Sequence, residues 1–364
     1  MVRKSLYFIN AWVDFACIGA LSIGLYLLFR SAPQFPLPDV LNLAALLTLL
    51  CNWPHFSATS YRLYSSLDNI RQYPMTALAI PLLLIAAVIA SLAWPDRVAP
   101  AFVHLFLLWS PYHYSGQSVG ISLIYARRAG FNFGSIERRC LSGFIFGSFL
   151  LSVARQEIRP GTYTFYGINY PSLGLPPGMV AVLATLMWGC GIAFISRIGW
   201  IAFRARRLVP PIVLLPGIAQ FVWFVPGIRL PSFSVFVPFF HGLQYLLIAW
   251  AMQLKETMDR RAIPPSTNYV KQETGRWGLL NLLGGVVLFW GLPRACALIT
   301  GRALMLVAPV MVAAVQIHHF FVDGVIWKLR HPTVGTPLLV NLDQMLATDP
   351  SGVAARATRQ HDGR

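Results

Sequence analysis

Eight histidines occur in this chain of 364 residues, and six of them fall within long apolar stretches. An ionisable side chain at the centre of a bilayer costs about 2.5–3.5 kcal/mol on insertion scales, so it usually faces a bundle interior and serves a function. Neutral imidazole is also the commonest metal ligand in proteins. The six residues are His55, His104, His113, His241, His318 and His319.

Five of these six histidines lie at similar depths in the membrane. Counted at about 1.5 Å per helical residue from the inner end of each apolar stretch, they lie about 10–20 Å deep, whereas His104 lies near the outer surface. Four helices thus place an imidazole in one slab of the bilayer. The pattern predicts one shared metal site with the ligands His55, His113, His241 and the pair His318–His319, of which at least one faces the interior.

Polar residues that could orient these imidazoles follow them at helical spacing. A metal-bound imidazole usually donates its second N–H to a carboxylate, an amide or a carbonyl. Residues three or four positions further along a helix lie on the same face. We therefore expect Gln117, Gln244 and Asp323 to orient the ligands, with Asp323 and Tyr245 as catalytic residues and Tyr245 donating a proton or an electron.

Three interpretations of the histidines remain open. They could hold a metal, form a proton or substrate pathway, or act as interhelical hydrogen-bond donors. Neutral imidazole suits Fe, Cu and Zn. Non-haem iron is the first expectation, Cu and Zn are alternatives, and a b-type haem is a further one.

The composition shows what kind of fold must position these residues. Hydrophobic residues make up 56% of the chain and charged residues only 12%, against about 25% charged in soluble domains. The net charge of +16 is spread in short clusters between apolar runs rather than gathered on one face. Binding of nucleic acid is therefore not expected, and the lipid bilayer is the expected environment.

Apolar stretches of about 20 residues predict an all-α bundle of about ten transmembrane spans. With the N-terminus inside, 22 of the 29 basic residues fall on the cytoplasmic side and seven outside, which places both termini in the cytoplasm. The spans are predicted at 6–29, 38–61, 74–94, 98–125, 139–156, 176–203, 209–228, 234–254, 277–297 and 303–327.

The predicted spans form one domain, residues 1–343, followed by a polar tail, 344–364, that is expected to be disordered and cytoplasmic. The longest outer loop, 157–175, is rich in Tyr, Pro and Gly and could cap an outward-facing vestibule. Gly116-x-x-x-Gly120 and Gly143-x-x-x-Gly147 both match the pattern of close helix packing in membranes.

This arrangement of many spans with histidines scattered within them resembles the Brp/Blh-like carotene dioxygenases. These are bacterial multi-pass proteins that hold a non-haem iron with histidines from several helices and cleave carotene to retinal. The resemblance covers topology and intramembrane histidines over most of the chain, but not the closely paired histidines on one helix, so it carries over no residue assignment. It implies an inner-membrane location in a bacterium.

The expected function is that of a membrane-embedded oxidoreductase or oxygenase acting on a lipid or isoprenoid. Such a hydrophobic small molecule is the expected partner besides the bilayer, and no protein partner can be assigned. The alternative of a different class is a transporter or channel that uses the intramembrane histidines and Asp323 as a proton or substrate pathway.

Overall fold

A computed structural model describes residues 6–32, 35–262 and 266–326. The predicted tail, 344–364, and both chain ends lie outside these ranges. The described chain forms eleven main helices and one β-hairpin, Thr162–Phe165 and Ile168–Pro171. The helices are α1 Ala11–Ser31, α2 Leu37–Tyr64, α3 Leu67–Gln72, α4 Met75–Ala93, α5 Val98–Arg128, α6 Ser135–Glu157, α7 Gly178–Ala205, α8 Leu215–Phe224, α9 Val237–Arg261, α10 Asn268–Thr300 and α11 Leu304–Ile326.

Seven of the helices in the described ranges are long and apolar enough to cross a membrane: α1, α2, α4, α7, α9 with the single turn that precedes it, α10 and α11. Their outward faces are apolar too. In α4, Leu82 and Leu83 are 67% and 63% exposed, and the helix reaches a mean hydropathy of 2.5. A surface of this kind requires lipid around it. The prediction of an all-helical, multi-pass membrane protein is confirmed in this coarse form.

The other three predicted spans fall on elements of a different character. Span 98–125 lies within α5, which has 31 residues, and span 139–156 lies within α6, which has 23. Span 209–228 is broken into a 3₁₀ turn, the ten-residue α8 and a second 3₁₀ turn. The prolines of this segment interrupt the helix because proline lacks a backbone N–H. The number of spans stays a prediction.

Three helices contain a π-helical turn followed by a proline. The turns are Thr48–Asn52, Met75–Ala79 and Val287–Gly291, and Pro54, Pro81 and Pro293 follow each of them at the second residue. A proline ring clashes with the carbonyl four residues earlier and cannot donate to it. The widened turn accommodates the ring, and the helix continues beyond it.

The loop 157–175, which is predicted to lie outside, contains a β-hairpin that the sequence did not predict. Its two-residue turn has Tyr166 and Gly167, with φ of 45° and 85°. Positive φ at both positions is the signature of a type I′ turn, whose twist matches that of paired strands. The hairpin packs against the N-terminal half of α5, where Phe165 contacts Phe106 edge-on with the ring centres 5.5 Å apart.

Candidate metal centre

Four histidines from four helices meet inside the bundle. Each offers one ring nitrogen, and these four nitrogens lie within 4.8 Å of one another. All four side chains are more than nine-tenths buried. The residues are His55 of α2, His113 of α5, His241 of α9 and His319 of α11.

Close helix contacts set the position of α2, which carries His55. At Gly242, beside His241, a Cβ atom would lie 3.1 Å from Cα of Asn52, in the π turn of α2. On the other side, a Cβ at Gly285 would lie 2.7 Å from the carbonyl carbon of Trp53. Only glycine allows α9 and α10 to approach the backbone of α2 so closely.

The spacing of the ring nitrogens fits one metal ion. Nε2 of His113 and Nε2 of His319 are 3.1 Å apart, and two imidazoles on a tetrahedral metal with bonds of 2.0–2.1 Å have their nitrogens about 3.3 Å apart. Ligands on opposite sides of a metal would be about 4.2 Å apart by the same bond length. All four nitrogens lie within 4.8 Å of one another, so the most distant pair would have to approach by at most about 1.5 Å to bind one tetrahedral ion.

Five ring nitrogens of the group have no hydrogen-bond partner. They are both nitrogens of His55, both nitrogens of His241 and Nδ1 of His319. A buried polar atom without a partner costs about 1–3 kcal/mol, and buried groups of this kind are almost always paired in proteins. An ion bound between the rings would satisfy one nitrogen of each histidine.

A carboxylate adjoins two of the imidazoles. Oδ2 of Asp323 lies 3.4 Å from Nε2 of His319 and 3.6 Å from Nε2 of His113. Its other oxygen lies 3.1 Å from the Thr59 hydroxyl oxygen and 3.4 Å from the Tyr245 hydroxyl oxygen, within hydrogen-bonding distance of either. Asp323 therefore links the histidine group to a pair of hydroxyls.

Thr59 and Tyr245 form that pair and share a short hydrogen bond. The Tyr245 ring also packs on His55, with the ring centres 4.3 Å apart. Thr59 was not among the predicted site residues, although it follows His55 by four positions and so lies on the same helical face.

The two predicted glutamines contact backbone carbonyls rather than imidazole rings. Gln117 donates to the carbonyl of His241 at 3.0 Å and to the Gln244 side chain at 3.3 Å. Gln244 in turn donates to the carbonyl of Ile18. These amides hold the backbone of α9 against α5 and α1, and so act on His241 through its main chain.

His318 and His104 lie outside the group. Nε2 of His318 is 3.0 Å from the Tyr64 hydroxyl, since adjacent helical residues diverge by about 100°. Nε2 of His104 is 3.3 Å from Oε1 of Glu157, and its ring packs on Tyr170 of the hairpin. The structure thus brings together four of the five predicted ligands and keeps His104 apart, beside the hairpin.

A cavity of about 310 Å³ opens beside the histidine group. Its polar wall includes His113, Gln117, Tyr245 and Asp323, and the rest of its lining is apolar side chains and three glycines. This volume is at the lower end of the range for small-molecule sites. A hydrophobic molecule in the cavity would touch the edge of the imidazole cluster.

Together the fold and the site define a multi-pass membrane protein with a buried four-histidine group beside an apolar cavity. Comparisons with models of protein families, with curated proteins and with solved structures find no match.

Proposed function

We propose that this protein is a membrane-embedded oxidoreductase or oxygenase in which His55, His113, His241 and His319 hold one metal, with non-haem iron as the first candidate. The observation that carries the proposal is the approach of four ring nitrogens to within 4.8 Å of one another, in a buried place where five ring nitrogens lack partners. The substrate class is a lipid or isoprenoid, because the site lies within membrane helices and adjoins an apolar cavity.

Four imidazoles leave positions on an iron open for dioxygen or substrate, and this is the chemistry that the metal would supply. Cu and Zn are served by the same ligand type. Haem fits the arrangement less well, because a porphyrin needs open space between two facing imidazoles. The His55 ring instead contacts the rings of His241 and His319 edge-on, with centres 4.8 and 4.3 Å apart.

The other polar residues have distinct roles in this proposal. Oδ2 of Asp323 lies beside Nε2 of His113 and Nε2 of His319, the atoms that would bind the metal, so in this proposal the carboxylate places a negative charge next to the ion. Tyr245 lines the cavity and hydrogen-bonds both Thr59 and Asp323, so its hydroxyl is placed to give a proton to a bound molecule. The aromatic rings around the histidines exclude water from the reacting atoms.

The resemblance to the Brp/Blh-like carotene dioxygenases supports the choice of iron and of an isoprenoid. It also favours the inner membrane of a bacterium as the location.

We further propose ten spans with both termini in the cytoplasm. At 1.5 Å per residue, α5 and α6 are about 46 and 34 Å long and exceed the hydrocarbon core of about 30 Å. The broken segment around α8 runs beside α6 from one end to the other: Arg207 donates to the carbonyl of Ala129 just before α6 begins, and Ile228 shares a cavity with Glu157 at the end of α6. This course supports counting the segment 209–228 as a transmembrane span.

A proton pathway in a transporter is the second candidate. The observation that favours it is the continuous series of contacts from His113 to His319, Asp323, Tyr245 and Thr59. Such series of ionisable groups within helices mark proton relays in membrane proteins.

Elemental analysis combined with a visible absorption spectrum of the purified protein separates the candidates. We expect about one metal ion per chain and no Soret band. A Soret band would identify a haem protein. Absence of both metal and haem, after expression in medium supplied with iron, copper and zinc, would overturn the oxidoreductase proposal in favour of the proton pathway.

A further inference from the structure

The two GxxxG motifs have different environments. A Cβ atom at Gly147 would lie 2.9 Å from Cβ of Met187, and one at Gly143 would lie 3.1 Å from Cβ of Cys190. These glycines therefore allow α6 to pack closely against α7, as this motif does in many membrane proteins.

The motif on α5 has no such neighbour. A Cβ atom at Gly116 or Gly120 would meet nothing within 4 Å, and the same holds for Gly324 of α11. All three glycines line the cavity beside the histidine group. Their missing side chains leave space for another molecule instead of a helix contact.

The lining of the cavity extends along α5. It reaches from Trp109 to Ile124, which corresponds to about 22 Å at 1.5 Å per residue. A lining of this length suits an extended chain better than a compact molecule.

The cavity also opens sideways to the bilayer. Tyr112 is 53% exposed, and Gly116 and Gly324 on facing helices are exposed as well. The inner end is closed by Ile121, Ile124 and Ile248. A molecule dissolved in the hydrocarbon core can therefore enter without crossing water.

We infer that this cavity binds a single extended hydrocarbon chain that bears one small polar group, and that Gly116, Gly120 and Gly324 determine how much of the chain fits. The chain lies along α5 and passes His113 and Asp323. Its identity as substrate rests on the proposed function, whereas the binding of a chain does not.

Photolabelling tests this inference on the purified full chain in detergent, with hexadecanol carrying a diazirine as the probe. We expect the label on α5 between residues 109 and 124 and on α11 near Gly324. Gly120→Leu should lower this labelling about tenfold, because the leucine side chain would overpack the occupied cavity. Labelling that is confined to other helices, or unchanged in Gly120→Leu, would overturn the inference.

The matched control is Gly189→Leu on α7, where a Cβ also meets nothing within 4 Å and the residue is exposed away from the cavity. It should label like the unaltered protein. Gly120→Ala is the milder variant if Gly120→Leu does not fold. In this variant, unlabelled hexadecanol should lose more of its ability to compete with the probe than unlabelled decanol does. Equal weakening of both would contradict a role in chain length.

Two further measurements distinguish a failure of this inference from a failure of the proposed function. Competition by dipalmitoyl phosphatidylcholine in place of hexadecanol would identify an anchoring site for bilayer lipid and overturn the substrate assignment. Metal content is measured on the same samples. Labelling without metal would contradict the proposed oxidoreductase and support the chain-binding site. Metal without labelling would support the oxidoreductase and contradict the chain-binding site.

Discussion

Nε2 of His113 and Nε2 of His319 lie 3.1 Å apart, although 206 positions separate the two residues in the chain. One carboxylate oxygen of Asp323 approaches both nitrogens. Two neutral imidazoles can share one proton at this distance, but the partnerless nitrogens of His55 and His241 next to them are not satisfied by that bond. The arrangement favours a cation at the centre of the group.

The adjacent pair on α11 provides the sharpest test of this group. We predict that His319→Gln loses the bound metal and that His318→Gln retains it, since only His319 faces the other imidazoles. Metal per chain after gel filtration is the measurement. Equal metal content in the two variants would show that the site is built differently.

His104 provides a second comparison within one helix. We predict that His104→Ala keeps its metal and that His113→Ala does not, because His104 pairs with Glu157, away from the four-histidine group. Elemental analysis of both variants, prepared in parallel, checks this. A comparable loss in His104→Ala would contradict the separation of the two residues.

Asp323 should affect the affinity for the metal rather than decide whether it binds. Replacing Asp323 by Asn keeps the shape but removes the charge beside His113 and His319. We expect binding to weaken about 10–100-fold, as is typical when a partner of a ligand is altered. Competition with a chelator measures the change, with the exposed Asp39→Asn as the control, and an unchanged affinity would argue against an effect of this carboxylate on the ion.

The contact of α10 with α2 should control stability. A Cβ at Gly285 would lie 2.7 Å from the backbone of Trp53, whereas one at Gly278 of the same helix would meet nothing within 4 Å. We predict that Gly285→Ala destabilises the protein by about 1–3 kcal/mol, the usual cost of overpacking. Thermal unfolding should show a lower midpoint for Gly285→Ala than for the unaltered protein. Gly278→Ala should leave the midpoint unchanged.

Topology reporters test the count of ten spans. Fusions after Arg139 and after Arg276 should report the cytoplasm, and a fusion within 160–170 should report the outside, because 22 of 29 basic residues then face inward. A fusion at the C-terminus should also report the cytoplasm. A periplasmic signal there would require an odd number of spans.

The sequence predicts the class of fold and the approximate depth of the histidines, because both depend on apolar length and helical rise. Depth alone does not fix the rotation of a helix. Gln117 and Gln244 have the right spacing to reach an imidazole but bond carbonyls, since the relative positions of α1, α5 and α9 decide their partners. For the same reason the two GxxxG motifs look alike in the sequence, and only the packing of α6 on α7 distinguishes them.

The broken segment at 209–228 and the hairpin could not be predicted for other reasons. Prolines can bend a helix or end it, and the outcome depends on which neighbours satisfy the freed carbonyls. Tyr166 and Gly167 form a turn that favours Asn-Gly in most proteins, so the pattern gave little indication of a hairpin. The pairing of Thr59 with Tyr245 joins residues of two helices, and the sequence of either helix alone does not predict it.

The four imidazoles come from helices that are distributed over almost the whole described chain, from α2 to α11. During synthesis the N-terminal helices enter the membrane first, so His55 is made and inserted before α11 exists. A nascent chain that ends before α11 lacks His319 and therefore lacks the complete group. A metal held by all four histidines can thus be acquired only after α11 has been inserted.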